Sequence, residues 1–118
     1  MTLTVRRLSG HIGAEISNVD LNTLSADIRA EIRTAFMKHS VLFFRCQHLS
    51  ADTLVRFATS FGEVEPLRPD MIPNPNNPKV MRLVSKDGGG AGKFNDTWHA
   101  DVTFFRRPPA ATVIQADT

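Results

Sequence analysis

Five of the seven prolines in this chain fall between Pro66 and Pro78, interleaved with Asn74, Asn76 and Asn77. Proline lacks an amide hydrogen and has a fixed φ, so neither a regular helix nor an internal ladder passes easily through such a stretch. Asparagine adds a preference for turns. The segment is therefore expected to be a surface loop that divides the chain. Two helical patterns precede it, and short runs of strand texture follow. That order points to an α+β chain with an incomplete sheet.

Upstream, Leu3 to Leu8 partly alternates apolar and polar residues, as a half-exposed strand does, and Ile12-Gly13-Ala14-Glu15-Ile16 reads as a second short strand. Ser25 then stands as an N-cap before a helical stripe of Ile28, Ile32, Ala35, Phe36 and His39. Val41-Leu42-Phe43-Phe44 is a compact apolar run and reads as a buried strand. Ser50 caps a second helix with Leu54, Phe57, Ala58 and Phe61 on one face, and Gly62 is the expected stop. Downstream, Lys79–Val84, Trp98–Phe105 and Thr112–Ala116 have strand texture, separated by a glycine-rich stretch from Ser85 to Asp96 and by Pro108-Pro109.

Composition excludes several classes. With 118 residues, 42% of them hydrophobic, the chain has the size and character of one globular body. The single Cys46 rules out an internal disulfide and a Cys-rich zinc module, which fits a reducing cytoplasm. No apolar signal core stands near Met1, and no run is long enough to span a bilayer. The formal charge of +2 and pI near 9.1 come without a basic stripe interleaved with aromatics, so nucleic acid is not an expected partner. The run Asp87-Gly88-Gly89-Gly90-Ala91-Gly92-Lys93-Phe94 imitates a phosphate loop but fails as one. A Walker A loop needs glycine in the place of Asp87 and Ser or Thr in the place of Phe94, and a helix should follow it. A lid at the mouth of a site is the better expectation.

The most informative stretch is Asn95-Asp96-Thr97-Trp98-His99-Ala100-Asp101. On a strand, His99 and Asp101 emerge on the same face. They then provide one nitrogen and one oxygen, two thirds of the two-histidine, one-carboxylate triad that holds non-haem Fe(II). The tripeptide alone more often describes a surface His–Asp hydrogen bond. The other histidines have ordinary places: His11 in a turn, His39 at a helix end, and His48 in a loop beside Cys46.

The neighbours of the pair extend the pattern. Trp98 to Phe104 followed by Pro108-Pro109-Ala110 resembles the metal-binding signature of the taurine dioxygenase-like family of Fe(II)/2-oxoglutarate-dependent dioxygenases. Ile12–Ile16 with Asp20-Leu21, Val41–Arg45 with Leu49-Ser50, and Phe57 through Phe61-Gly62-Glu63 are similar to earlier blocks of that family, in its order.

The resemblance implies a double-stranded β-helix (jelly-roll) oxygenase. Residues 1–118 would be the N-terminal part of its single domain, truncated at the C-terminus, with two flanking N-terminal helices. It implies Fe(II), with 2-oxoglutarate and dioxygen as co-substrates, and oxidation of a small, anionic organic molecule such as a sulfonate. His99 and Asp101 match the family's first two metal ligands, and Asn95 matches a substrate contact.

Two departures qualify the match. The family's second histidine ligand and its keto-acid-binding arginine come later than Thr118, so the chain alone is expected to be inactive. The taurine enzyme's sulfonate-binding histidine has no counterpart in Val64–Asp70, where Arg68 is either an anion contact or a solvated loop residue. Taurine itself is therefore not the expected substrate. The expected setting is cytoplasmic, with no membrane or nucleic-acid partner; a homo-oligomer is compatible with the sequence. The rival reading is a non-catalytic remnant that acts only as an interaction or structural polypeptide.

Overall fold

Two short strands joined by residues 8–13 open the chain. The computed structural model describes residues 2–69, 71–83 and 98–116. Strand β1 (Thr4–Arg7) is exposed along its whole length and pairs antiparallel with β2 (Ala14–Ser17). Gly13 closes their connection at φ +97°, a conformation that a side chain would strain. Its amide donates to the carbonyl of His39 at 2.9 Å, and Ala14 N–H donates to Val41 O at 2.9 Å. These bonds tie the hairpin to the end of the first helix.

Helix α1 (Ala26–His39) begins as its sequence dictates: the Ser25 hydroxyl accepts from Ile28 N–H at 3.3 Å, satisfying one of the free amides of the first turn. Ile32, Ala35 and His39 are its buried residues. The helix carries the chain back to β3 (Leu42–Phe44), which pairs parallel with β2. A parallel pair needs such a crossover, so β2–α1–β3 is a βαβ unit with β2 central. Strand β3 corrects the expectation of a buried strand. It lies at the sheet edge, so Leu42 and Phe44 are half-buried while Phe43 is exposed.

On the outer face of this sheet Glu15 receives Arg6 at 3.1 Å and Arg45 at 3.2 Å, both on Oε2. The Arg45 hydrogen bond, joined by the charge of Arg6, holds the Glu15 carboxyl below the usual glutamate range.

Helix α2 (Ala51–Ala58) is capped by Ser50, whose hydroxyl accepts from Thr53 N–H at 3.2 Å. It ends earlier than the glycine stop suggests, with Thr59 as C-cap. Ser60 and Phe61 then bond back to Phe57 and Ala58 at 3.0 Å, a tighter winding that finishes the helix before Gly62 is reached. The core lies between the sheet and both helices: Leu21, Ile32, Leu49 and Phe57 are buried together, with Phe44 and Phe61 packed against them. Phe57 meets Phe44 and Phe61 edge-to-face at 5.6 and 5.5 Å between ring centres.

The proline-rich stretch is not simply a loop. Strands β4 (Pro73–Asn74) and β5 (Asn77–Met81) form an irregular antiparallel hairpin. A two-stranded ribbon has only edge strands, so prolines can occupy positions whose missing amide faces away from the partner. Asn74 Oδ1 accepts from Asn76 N–H at 2.9 Å and Asn77 Oδ1 from Lys79 N–H at 2.9 Å, so the asparagines make the turns their type favours.

Strand β5 fulfils part of the Lys79–Val84 expectation; Val84 and the stretch from Ser85 to Asp96 lie outside the described residues. The expected strands Trp98–Phe105 and Thr112–Ala116 are absent, because neither finds a ladder partner among the described residues. The first contains bends and a turn; the second shows a strand-like alternation of half-buried and exposed residues without a ladder. The architecture is thus α+β, two helices with a three-stranded sheet and a hairpin, and no barrel closes among the described residues.

Candidate metal centre

His99 and Asp101 are brought together without a strand. His99 Nε2 stands 3.4 Å from Asp101 Oδ1, with the two side chains 49% and 57% exposed. Just beyond, Val102 adopts φ +44°, which β-branched residues seldom tolerate, and its carbonyl accepts from Phe105 N–H at 3.1 Å. The chain therefore turns back immediately after Asp101. A turn, not the pleat of a strand, sets the local backbone beside the pair.

The second oxygen of the carboxylate is also engaged. Thr112 Oγ1 donates to Asp101 Oδ2 at 3.2 Å, across eleven residues and the Pro108-Pro109 break. Sequence reasoning missed Thr112, because nothing in a local pattern links a hydroxyl to an acid at that separation. Beyond Thr112, Gln115 places its amide against the backbone of Leu49, accepting from its N–H at 3.2 Å and donating to its carbonyl at 3.1 Å. One side chain thus takes the place of a missing ladder. Val113 packs on the core cluster alongside.

These donors suit a divalent ion. Ligand nitrogens and oxygens bind about 2.1 Å from a small divalent cation, so two at right angles stand about 3.0 Å apart and farther at wider angles. The 3.4 Å separation is compatible with one shared ion, and an imidazole with a carboxylate is a donor set that non-haem iron accepts. Among the described residues no group of three or more His, Cys, Asp or Glu gathers into a complete ligand set.

Asn95 and the glycine-rich stretch Asp87–Phe94 lie outside the described residues. Arg68 is exposed, and its carbonyl accepts from Met71 N–H at 3.0 Å. Cys46 is an exposed free thiol. His39 is buried, at 6% exposure, at the end of α1. No helix among the described residues is long and apolar enough to cross a membrane.

The described residues thus form an α+β unit with an imidazole and a carboxylate side by side. The chain matches the taurine catabolism dioxygenase TauD, TfdA family over residues 4–118, and it belongs to that family. It is 34% identical to an alkylsulfatase of Acinetobacter baylyi over 96% of this chain and 35% of that protein. It is 33% identical to an alpha-ketoglutarate-dependent sulfate ester dioxygenase of Pseudomonas putida over 98% of this chain and 38% of the relative. Among solved structures, a taurine dioxygenase from Burkholderia xenovorans superposes with a TM-score of 0.64 at 37% identity, covering 70% of this chain and 30% of that one. The chain spans a little over a third of the length of these two curated relatives.

Proposed function

We propose that residues 1–118 are the N-terminal part of a single Fe(II)/2-oxoglutarate-dependent dioxygenase domain of double-stranded β-helix architecture, acting on a small organic anion. The observation that carries this reading is the 3.4 Å approach of His99 Nε2 to Asp101 Oδ1 in a chain of this family. His99 would provide a neutral imidazole nitrogen to the iron and Asp101 one carboxylate oxygen. When bound, ferrous iron with 2-oxoglutarate and dioxygen would supply the oxidation of a C–H bond next to a heteroatom. Asn95 is assigned to the substrate, where a side-chain amide can orient a polar group.

For the substrate, the names of the two curated relatives favour a sulfate ester. The absence of histidine from Val64–Asp70 separates this chain from taurine binding as the family resemblance describes it. With two protein donors in place of three, the 118-residue chain alone should hold iron weakly and form no succinate. In a longer protein that carries this chain, His99→Ala or Asp101→Ala should abolish succinate formation from 2-oxoglutarate in the presence of an alkyl sulfate. Sustained turnover by either variant contradicts the metal assignment.

A second reading, a non-catalytic interaction polypeptide, draws on the apolar side chains that segment 98–116 leaves in solvent: Trp98 at 105% exposure, Ile114 at 79% and Phe104 at 78%. Wild-type succinate formation in the longer protein decides between the two.

A further inference from the structure

Asp101 must present one oxygen to the shared ion, yet an exposed carboxylate on two rotatable bonds has no intrinsic preference between its oxygens. Its Oδ2 is the atom that Thr112 Oγ1 contacts at 3.2 Å, whereas Oδ1 is the atom beside His99 Nε2. Thr112 does not stand on a loose end. Val113 packs on the core, and Gln115 makes two hydrogen bonds to Leu49 N–H and C=O, 66 residues away. The hydroxyl is therefore fixed relative to the body of βαβ unit and α2, and through it so is the carboxylate.

We propose that Thr112 is a positioning residue for the candidate metal centre: it occupies Asp101 Oδ2, so that Oδ1 alone is directed to the position beside His99. This rests on the dioxygenase reading above for its purpose, and on the contacts of Thr112, Gln115 and Val113 for its geometry. A hydroxyl that donates to the unused oxygen of a ligating carboxylate removes the cost of orienting that group at binding. Loss of such outer partners typically weakens metal binding about 10–100-fold.

The test uses Mn(II) titrations of the chain followed by electron paramagnetic resonance, together with the carboxyl ¹³C resonance of Asp101 in metal-free protein at fixed pH. Thr112→Val keeps the shape of the side chain and removes the hydroxyl; Thr112→Ser restores the donor. We expect Thr112→Val to weaken Mn(II) about 10–100-fold and to move the Asp101 resonance, and Thr112→Ser to bring both back toward wild type with an unchanged thermal midpoint. If Mn(II) binds in a His99-dependent way and Thr112→Val binds it as tightly as wild type, the positioning role is overturned while the metal reading stands. If wild type shows no His99-dependent Mn(II) binding, the metal reading fails. The contact is then judged by the resonance alone, and an Asp101 signal identical in Thr112→Val and wild type overturns it too.

Discussion

The unit built from β1, β2, α1, β3 and α2 and the segment from Trp98 to Ala116 have similar apolar texture but opposite fates. In the first, Ile32 is 1% exposed, Phe57 4% and Ala14 0%. In the second, Trp98 and Phe104 face solvent, while Val113 packs on the core and Gln115 bonds to Leu49. The difference follows from where each element satisfies its backbone. A helix bonds to itself, so α1 and α2 need only an apolar face and a cap. A strand bonds to a neighbour, and segment 98–116 has none among the described residues.

The largest effect that sharpens this contrast is on stability. Phe57→Ala should cost about 3–5 kcal/mol, whereas Phe104→Ala should stay within about 0.5 kcal/mol, both read by urea denaturation. Equal costs would mean that the second segment packs as tightly as the first. Next in size, Ser25→Ala removes the cap of α1 and should cost about 1 kcal/mol, with helical circular dichroism falling at matched urea.

Val102→Gly separates the two backbone states directly. In the observed turn, glycine tolerates φ +44° and should stabilise by up to about 1 kcal/mol; in a strand it should destabilise by roughly 0.5–1 kcal/mol. The smallest effect belongs to Glu15. Its folded-state carboxyl is depressed by Arg45 and Arg6, so its contribution is complete above the ordinary glutamate value of about 4.3 and is lost as pH falls through the lower folded value. Glu15→Gln should therefore flatten the acid limb of the stability profile, and an unchanged limb would show that the Arg6–Glu15–Arg45 cluster contributes nothing.

How far each feature could be read from the chain follows the same physics. Ser25 and Ser50 with their periodic stripes announce both helices, because caps and spacing are local. The hairpin Pro73–Met81 was hidden by a rule for internal strands that does not govern a two-stranded ribbon. Gly62 marks the stop of α2 too late, because backbone winding at Ser60 and Phe61 ends the helix first. At the candidate site, the spacing of His99 and Asp101 predicts a shared strand face, whereas the structure brings the two side chains together beside a turn. Thr112 was illegible, since its role depends on a fold-back at Pro108-Pro109 and on Gln115 reaching Leu49.

The most direct measurement is paramagnetic broadening in two-dimensional NMR of the wild-type chain on addition of Mn(II). The account predicts selective loss of the His99 imidazole and Asp101 side-chain signals at low metal, and no such selectivity in His99→Ala or Asp101→Ala. Broadening centred elsewhere, or equal in wild type and both variants, would contradict it.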